Sequence, residues 1–355
     1  MNDWEAVEFL KSMLSIYSPS GEEEALARYL ADSLEKRGLK AYVDDVGNVI
    51  ASFSKPIPHE PELIFLGHID TVPGFIPVRE EGGKIFGRGA ADAKGPMAAF
   101  LIAMLRVKPE IPVVFVGAVG EEAESIGAKH AIPRFRPKNA VIGEPGRWEG
   151  ITLGYKGRLT IRYTLSKPKA HTAAPSPTAP EEAFLFWQEL KAWAEEFNHA
   201  RNPFERVDLC LTEIRSQSEA FSTSVEMDLE VRLPPGLEPS ALTATALSLA
   251  KGATLEFSGE EKAFVAQRNN RLVRAFLRAI RAEGGTPRFK LKSGTSDMNL
   301  AGPSWQCPIL AYGPGNSSLD HTPWEHIEIE DYLKAVKVWE RVLKHFSGGG
   351  NETLD

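Results

Sequence analysis

His68 and Asp70 stand two residues apart at the end of the apolar run Leu63–Gly67. On extended backbone, residues i and i+2 face the same way. One imidazole nitrogen can then meet the carboxylate while the other is left for a metal, the carboxylate–histidine–metal arrangement. Four later stretches place similar residues where strands are expected to end. They are Asp92 within Gly87–Pro96, Glu121 and Glu122 after Phe115–Gly120, Glu144 in Gly143-Glu144-Pro145, and His321 in His321-Thr322-Pro323-Trp324-Glu325. Taken singly, each is as well explained by a turn or a helix cap. Together they supply two imidazoles and several carboxylates, a donor mix that suits Zn2+ or a similar divalent ion. One carboxylate could bridge two such ions about 3.5–4 Å apart. The Gly-rich stretch around Asp92 is not read as a phosphate loop. It lacks the Gly-Lys-Ser/Thr ending and sets an acid where phosphate would sit.

These residues need elements to hold them. Helical spacing is read over 4–17. Ser20-Gly21-Glu22-Glu23 has the form of a capping box opening a helix that runs to Gly38. Short strands are read at 39–44, 48–53, 62–67, Pro112–Ala118 and Ala140–Gly143, with a helix at Pro96–Val107. Strands alternating with helices predict an α/β layer structure, in which sites lie at the carboxyl ends of the strands. The pattern changes near Gly154. Strands at Arg158–Leu165, Val207–Ile214, Val225–Leu233 and Thr254–Phe257, with helices at Ala179–Phe197 and Leu237–Ala250, follow the split βαβ order of a ferredoxin-like α+β domain. The expected division is therefore 1–154 with 266–355 as a catalytic domain, and 155–265 as an inserted lid or dimerisation domain. A helix to about Ala282, strands near Phe289 and at Ile309–Tyr312, and a last helix Ile329–Phe346 complete the first. The polar tail from Ser347 to Asp355 is expected to be disordered.

The 355 residues suit two domains, and 43% hydrophobic with 25% charged content is that of an ordinary globular protein. A net charge of −7 argues against a general nucleic-acid binder. Cys210 and Cys307 give no disulfide framework and suit a reducing compartment. The acidic start Met1–Glu5 has no apolar signal core, and no apolar run reaches membrane-spanning length. The resulting expectation is a cytoplasmic protein with no membrane partner.

Gly67-His68-Ile69-Asp70-Thr71-Val72-Pro73, Gly87-Arg88-Gly89-Ala90-Ala91-Asp92-Ala93-Lys94-Gly95, Glu121-Glu122 with Gly127-Ala128, Gly143-Glu144-Pro145 and the late His321 together resemble the zinc amidohydrolase and peptidase family. That family contains acetylornithine deacetylase, succinyl-diaminopimelate desuccinylase, aminoacylase-1 and glutamate carboxypeptidase. The resemblance runs through nearly the whole chain and implies a zinc-peptidase-like α/β catalytic domain carrying two Zn2+ per subunit, with Co2+ as a possible substitute. It implies His68 and Glu144 as terminal ligands of one metal, Glu122 and His321 of the other, and Asp92 as the bridge, followed by a cis peptide. It implies Asp70 as the partner of His68 and Glu121 as the general base. His171, in Lys169-Ala170-His171-Thr172-Ala173, resembles a lid histidine that stabilises an oxyanion. Arg232 resembles an arginine that pairs with a substrate carboxylate. Ser293-Gly294-Thr295 resembles a substrate loop, the bland reading being a helix cap at Ser296 or Asp297. Trp324 departs from the family pattern, which has Asn or Asp there.

Within the family, the wording resembles a lysine-biosynthesis branch that frees lysine or ornithine from the γ-glutamyl C-terminus of an acidic amino-group carrier protein. Two basic clusters could dock such a partner. One is Arg268, Arg271, Arg274, Arg278 and Arg281 with Arg288, Lys290 and Lys292. The other is Lys156, Arg158, Arg162, Lys167 and Lys169. The same residues read blandly as solvated faces. A small-molecule N-acyl amino acid deacylase is the second functional reading, and a metal-stabilised binding protein the third. A lid-mediated homodimer is the family expectation.

Overall fold

Val113–Ala118, Leu63–His68, Ala140–Ile142 and Ile309–Ala311 lie side by side in that order, parallel, at the centre of a mixed sheet. In the computed structural model, which describes residues 1–348, every residue of these four strands is buried. Burial on both faces explains why they read as apolar runs and not as alternation. Val49–Ser52 and then Lys40–Val43 extend one side antiparallel, and Gly150–Tyr155 runs antiparallel on the other.

Helix Lys94–Val107 is buried from Lys94 to Leu105, so it carries no polar face. Its Phe100 stacks on Phe65 of the sheet at 4.4 Å and meets Trp339 of helix Ile329–Ser347 edge-on at 4.9 Å. Phe276, on helix Arg271–Ala282, reaches the same indole at 5.0 Å. Each such pair adds about 0.5–1.5 kcal/mol beyond area burial. The Phe65 ring also explains Gly143: a Cβ there would lie 2.3 Å from it. The strand end that leads to Glu144 can pass the ring only as glycine.

Two compact units divide the chain: Met1–Gly154 with Ala266–Lys290 and Ser296 onward, and Tyr155–Val265 with Leu291–Thr295. The second has a four-stranded antiparallel sheet in the order Asp208–Ser218, Ser222–Leu233, Gly157–Pro168, Thr254–Glu261. With helices Ala179–Phe197 and Pro239–Leu249, this is the βαββαβ connection of the ferredoxin-like fold. Alternate residues Leu159, Ile161, Tyr163 and Val225 to Leu233 face Phe186, Leu190, Leu242 and Ala246 in its core.

Two local expectations are corrected, and one small sheet is added. The capping box does not form: helix Glu24–Glu35 begins at Glu23 with no side-chain cap, and Ser20 is engaged elsewhere. Ser347 ends the last helix and is not tail, while 349–355 lie outside the described residues. A small sheet of Arg79–Glu81, Lys84–Phe86 and His326–Glu328 went unread. Its three-residue strands are too short to show a period.

Candidate active site

The strand Leu63–His68 ends by delivering His68 and Asp70, both buried, into the first unit. His68 Nδ1 lies 3.0 Å from the Asp70 carbonyl oxygen and 3.4 Å from its Oδ1. Nε2 is thereby turned outward, 3.2 Å from Asp92 Oδ1. Asp70 does more than face the imidazole. Its Oδ1 accepts the backbone N–H of Glu121 and its Oδ2 that of Glu122, each at 3.0 Å, and Oδ2 also accepts the Ser20 hydroxyl at 2.7 Å. The chain leaving Val113–Ala118 is thus folded around one carboxylate. Gly120 N–H donates to Glu23 Oε1, which anchors the turn from its other side.

Asp92 follows the Gly-rich loop and precedes a cis peptide to Ala93, as the family resemblance implies. Its second oxygen lies 3.5 Å from His321 Nε2, and the same nitrogen lies 2.9 Å from Glu122 Oε1. One Asp92 carboxylate therefore sits between two imidazoles, the geometry a bridging ligand needs. Donor atoms of His68, Asp92 and Glu122 fall within 4.8 Å of one another. His321 adopts a left-handed backbone (φ 63°) in the segment after Gly315. Glu144 follows Ala140–Ile142 and Gly143, and its charge is felt at Glu121.

The electrostatics show an excess of negative charge. His68 is held well above its ordinary pKa: burial opposes the proton, but Asp70 and Asp92 win. His321 is raised to about 10 by hydrogen bonds to Asp92 and Glu122. Glu121 is pushed well above the carboxylate range, first by burial, with Asp297, Glu144 and Glu122 adding to it against His68. Asp70 stays below its ordinary value despite burial, because His68, Ser20 and the backbone of Glu122 donate to it. A pocket that pulls protons onto two imidazoles is one that a divalent cation fits, since the cation replaces those protons against the same carboxylates.

The remaining expected site residues belong to the second unit. His171 is exposed in the loop after Gly157–Pro168 and accepts the Ala173 N–H at Nδ1. Arg232 lies 3.4 Å from Thr295 Oγ1 and 3.7 Å from Glu230. Ser293 and Gly294 are exposed beside Thr295. Helix Met298–Trp305 starts after Asp297, whose side chain makes no cap hydrogen bond, while Ser296 Oγ accepts the Met298 N–H at 3.2 Å.

The second basic cluster is largely neutralised. Lys156 is buried and pairs with Asp208 at 2.5 Å, Arg158 with Glu230 at 3.0 Å, Arg162 with Asp228 at 2.8 Å and Lys167 with Glu182 at 3.2 Å. Their partners sit across the sheet or on the neighbouring helix, which linear sequence does not reveal. Arg271, Arg274, Arg278 and Arg281 are exposed at positions that share one helix face.

Three supporting residues lie outside the expected site set. Ser20 holds Asp70. Glu325 holds the Asp92 turn, and only its place in the His321 motif hinted at it. Lys94, buried beside that turn, donates to the Ile16 carbonyl at 2.7 Å, and burial lowers its pKa to about 7.

Residues 64–345 match the profile of Peptidase family M20/M25/M40. A LysW-lysine hydrolase of Deinococcus radiodurans is 42% identical over 357 residues, 97% of this chain and 98% of its own. A LysW-lysine/LysW-ornithine hydrolase of Saccharolobus islandicus is 28% identical over 94% of each chain. Among solved structures, a tripeptidase from Staphylococcus aureus superposes with TM-score 0.80 at 18% identity, over 98% of this chain and 99% of that one. An M20 family metallo-carboxypeptidase from Sulfolobus solfataricus gives 0.76 at 20% identity, over 98% and 100%. These two share the fold. From the sequence match across most of its length, this chain belongs to peptidase family M20/M25/M40 and is a metal-dependent hydrolase of that family.

Proposed function

We propose that the enzyme hydrolyses the amide between the C-terminal γ-glutamyl group of an acidic amino-group carrier protein and lysine or ornithine, releasing the free amino acid for lysine or arginine biosynthesis. The observation that carries the chemistry is Glu121: a half-buried carboxyl with a raised pKa, its backbone N–H held by Asp70 beside the His68, Asp92 and Glu122 donors. Likeness to the Deinococcus hydrolase along almost the whole chain supports the substrate.

In this reading His68 and Glu144 would hold one Zn2+, Glu122 and His321 a second, and Asp92 would serve both, with Co2+ an acceptable replacement. The ions supply polarisation of the scissile carbonyl and a more acidic attacking water. Glu121 accepts the proton of that water and returns it to the leaving amine. Asp70 fixes the His68 tautomer and the place of Glu121. His171 serves the oxyanion, Arg232 the substrate carboxylate, and Ser293, Gly294 and Thr295 the substrate loop. The exposed arginine face of helix Arg271–Ala282 receives the acidic carrier. No helix among the described residues is long and apolar enough to cross a membrane, and a cytoplasmic enzyme fits this substrate. The Tyr155–Val265 unit pairs two copies, a reading supported by its exposed Phe184 and Phe221.

The test is amine release by metal-loaded enzyme from a carrier protein ending in γ-glutamyl-lysine and, beside it, from N-acetylornithine. Preference for the carrier-linked substrate is expected. Preference for the small substrate would make the enzyme an N-acyl amino acid deacylase with the same metals and base.

A further inference from the structure

We infer that Glu325, clamped by Arg88, is a positioning residue that sets the carboxylate of Asp92 between the two imidazoles. This rests on the reading of Asp92 as a metal ligand and adds the device that aims it. Glu325 is buried, 1% exposed, and uses both carboxylate oxygens. Oε1 accepts the backbone N–H of Ala91 at 3.0 Å and that of Asp92 at 3.1 Å. Oε2 accepts from Arg88 Nη1 at 2.7 Å. Arg88 is itself buried, and its Nε donates to the Gly74 carbonyl at 3.0 Å, which pins the guanidinium at a second point. A planar fork held at both ends leaves the carboxylate little freedom.

The fold brings this about through the small sheet. His326 and Ile327 pair with Phe86 and Ile85, and Gly87 N–H donates to the Glu325 carbonyl at 3.3 Å. Glu325, immediately before the strand His326–Glu328, is thus laid against the start of the loop that presents Asp92. The same short segment supplies His321, four residues earlier. Both imidazole-facing oxygens of Asp92 and one of the imidazoles are referred to a single clamp. The arrangement parallels Asp70, which accepts two consecutive backbone N–H groups at Glu121 and Glu122. Beneath each acidic turn a buried carboxylate accepts two consecutive backbone N–H groups, Ala91 and Asp92 for Glu325 and Glu121 and Glu122 for Asp70. A role in packing alone would not call for that, and placing a ligand would.

Two double variants separate aiming from packing. Arg88→Met with Glu325→Gln removes the ion pair but keeps an oxygen to accept the Ala91 and Asp92 N–H groups. Arg88→Met with Glu325→Met removes the pair and the acceptor together, and buried pairs are commonly replaced by apolar residues without loss of fold. The readouts are Zn2+ affinity by competition with a chelating dye, the visible absorption spectrum of the Co2+-loaded protein, and the melting temperature of the metal-free protein. The Gln pair should bind metal within about threefold of wild type. The Met pair should lose about 10–100-fold in affinity and shift the Co2+ bands. Equal affinity and equal spectra in the two would overturn the inference, whatever their melting temperatures. Should the Met pair not fold, Glu325→Asp withdraws the acceptor by one methylene and keeps the charge opposite Arg88. Wild-type affinity there would be equally fatal. Asp92→Ala is the control for the underlying reading: if it retains both metals, the ligand assignment itself is wrong.

Discussion

Asp70 Oδ1 accepts the backbone N–H of Glu121 at 3.0 Å, so the residue that faces His68 also fixes where the candidate base stands. One buried carboxylate couples a metal-facing imidazole to the turn carrying Glu121 and Glu122. Removing it should therefore damage both. Asp70→Ala strands two backbone N–H groups, the Ser20 hydroxyl and the His68 ring. We expect a loss of about 3 kcal/mol in the metal-free protein by urea titration, with metal affinity down about 10–100-fold. Because the Asp70 pKa is depressed, its contribution is present above an unfolded carboxylate value of about 4. It is lost as pH falls through the lower folded value. An Asp70→Ala protein with wild-type acid stability would contradict this account.

Glu121→Gln keeps the shape and burial of the side chain and removes the proton acceptor. Amide hydrolysis should fall at least about 100-fold, while metal content, measured by atomic emission, stays at the wild-type value. Full activity with both metals in place would remove Glu121 as the base.

Metal affinity should rise with pH. In the metal-free protein His321 holds its proton up to about 10 between Asp92 and Glu122, against an ordinary value of 6.5. A raised folded pKa gives stability that is fully present below 6.5 and lost as pH climbs through about 10. Over that window the cation has progressively less proton to displace. Chelation should abolish activity, and Zn2+ or Co2+ should restore it. Affinity that is flat from pH 6.5 to 10 would argue against His321 as a ligand.

Charge reversal at Arg274 and Arg278 tests the docking face. Helix Arg271–Ala282 carries no acid, and both guanidinium groups are exposed. Activity on carrier-linked lysine should drop about tenfold at low salt and recover in part as salt rises. Activity on a small acyl-lysine should not change. A parallel loss on both substrates would return the helix to a solvated face.

The two cysteines should react at separate rates. Cys210 is exposed, whereas burial pushes the Cys307 thiol up to about 11. At pH 8 a disulfide reagent should titrate Cys210 quickly and the half-buried Cys307 more slowly. Two fast thiols would show that Cys307 is not shielded.

Local pattern was enough to read the strands that deliver the site and the residues at their ends. Apolar runs ending in His68, Glu121, Glu122 and Glu144 are local signals, because burial on both faces leaves a strand no choice but continuous hydrophobicity. The alternation in Val225–Leu233 and the amphipathic Ala179–Phe197 made the second unit legible for the same reason. Tertiary structure alone decided what surrounds those residues. Ser20 has the spacing of a cap, yet its hydroxyl goes to Asp70, fifty positions away in the chain. Lys156, Arg158, Arg162 and Lys167 read as a basic patch until cross-strand and helix neighbours neutralise them. Glu325 reaches the Asp92 turn only because three-residue strands align two distant segments. Periodicity and motif report a residue's own burial and identity; hydrogen bonds between segments far apart in sequence depend on register and packing, which no local pattern encodes.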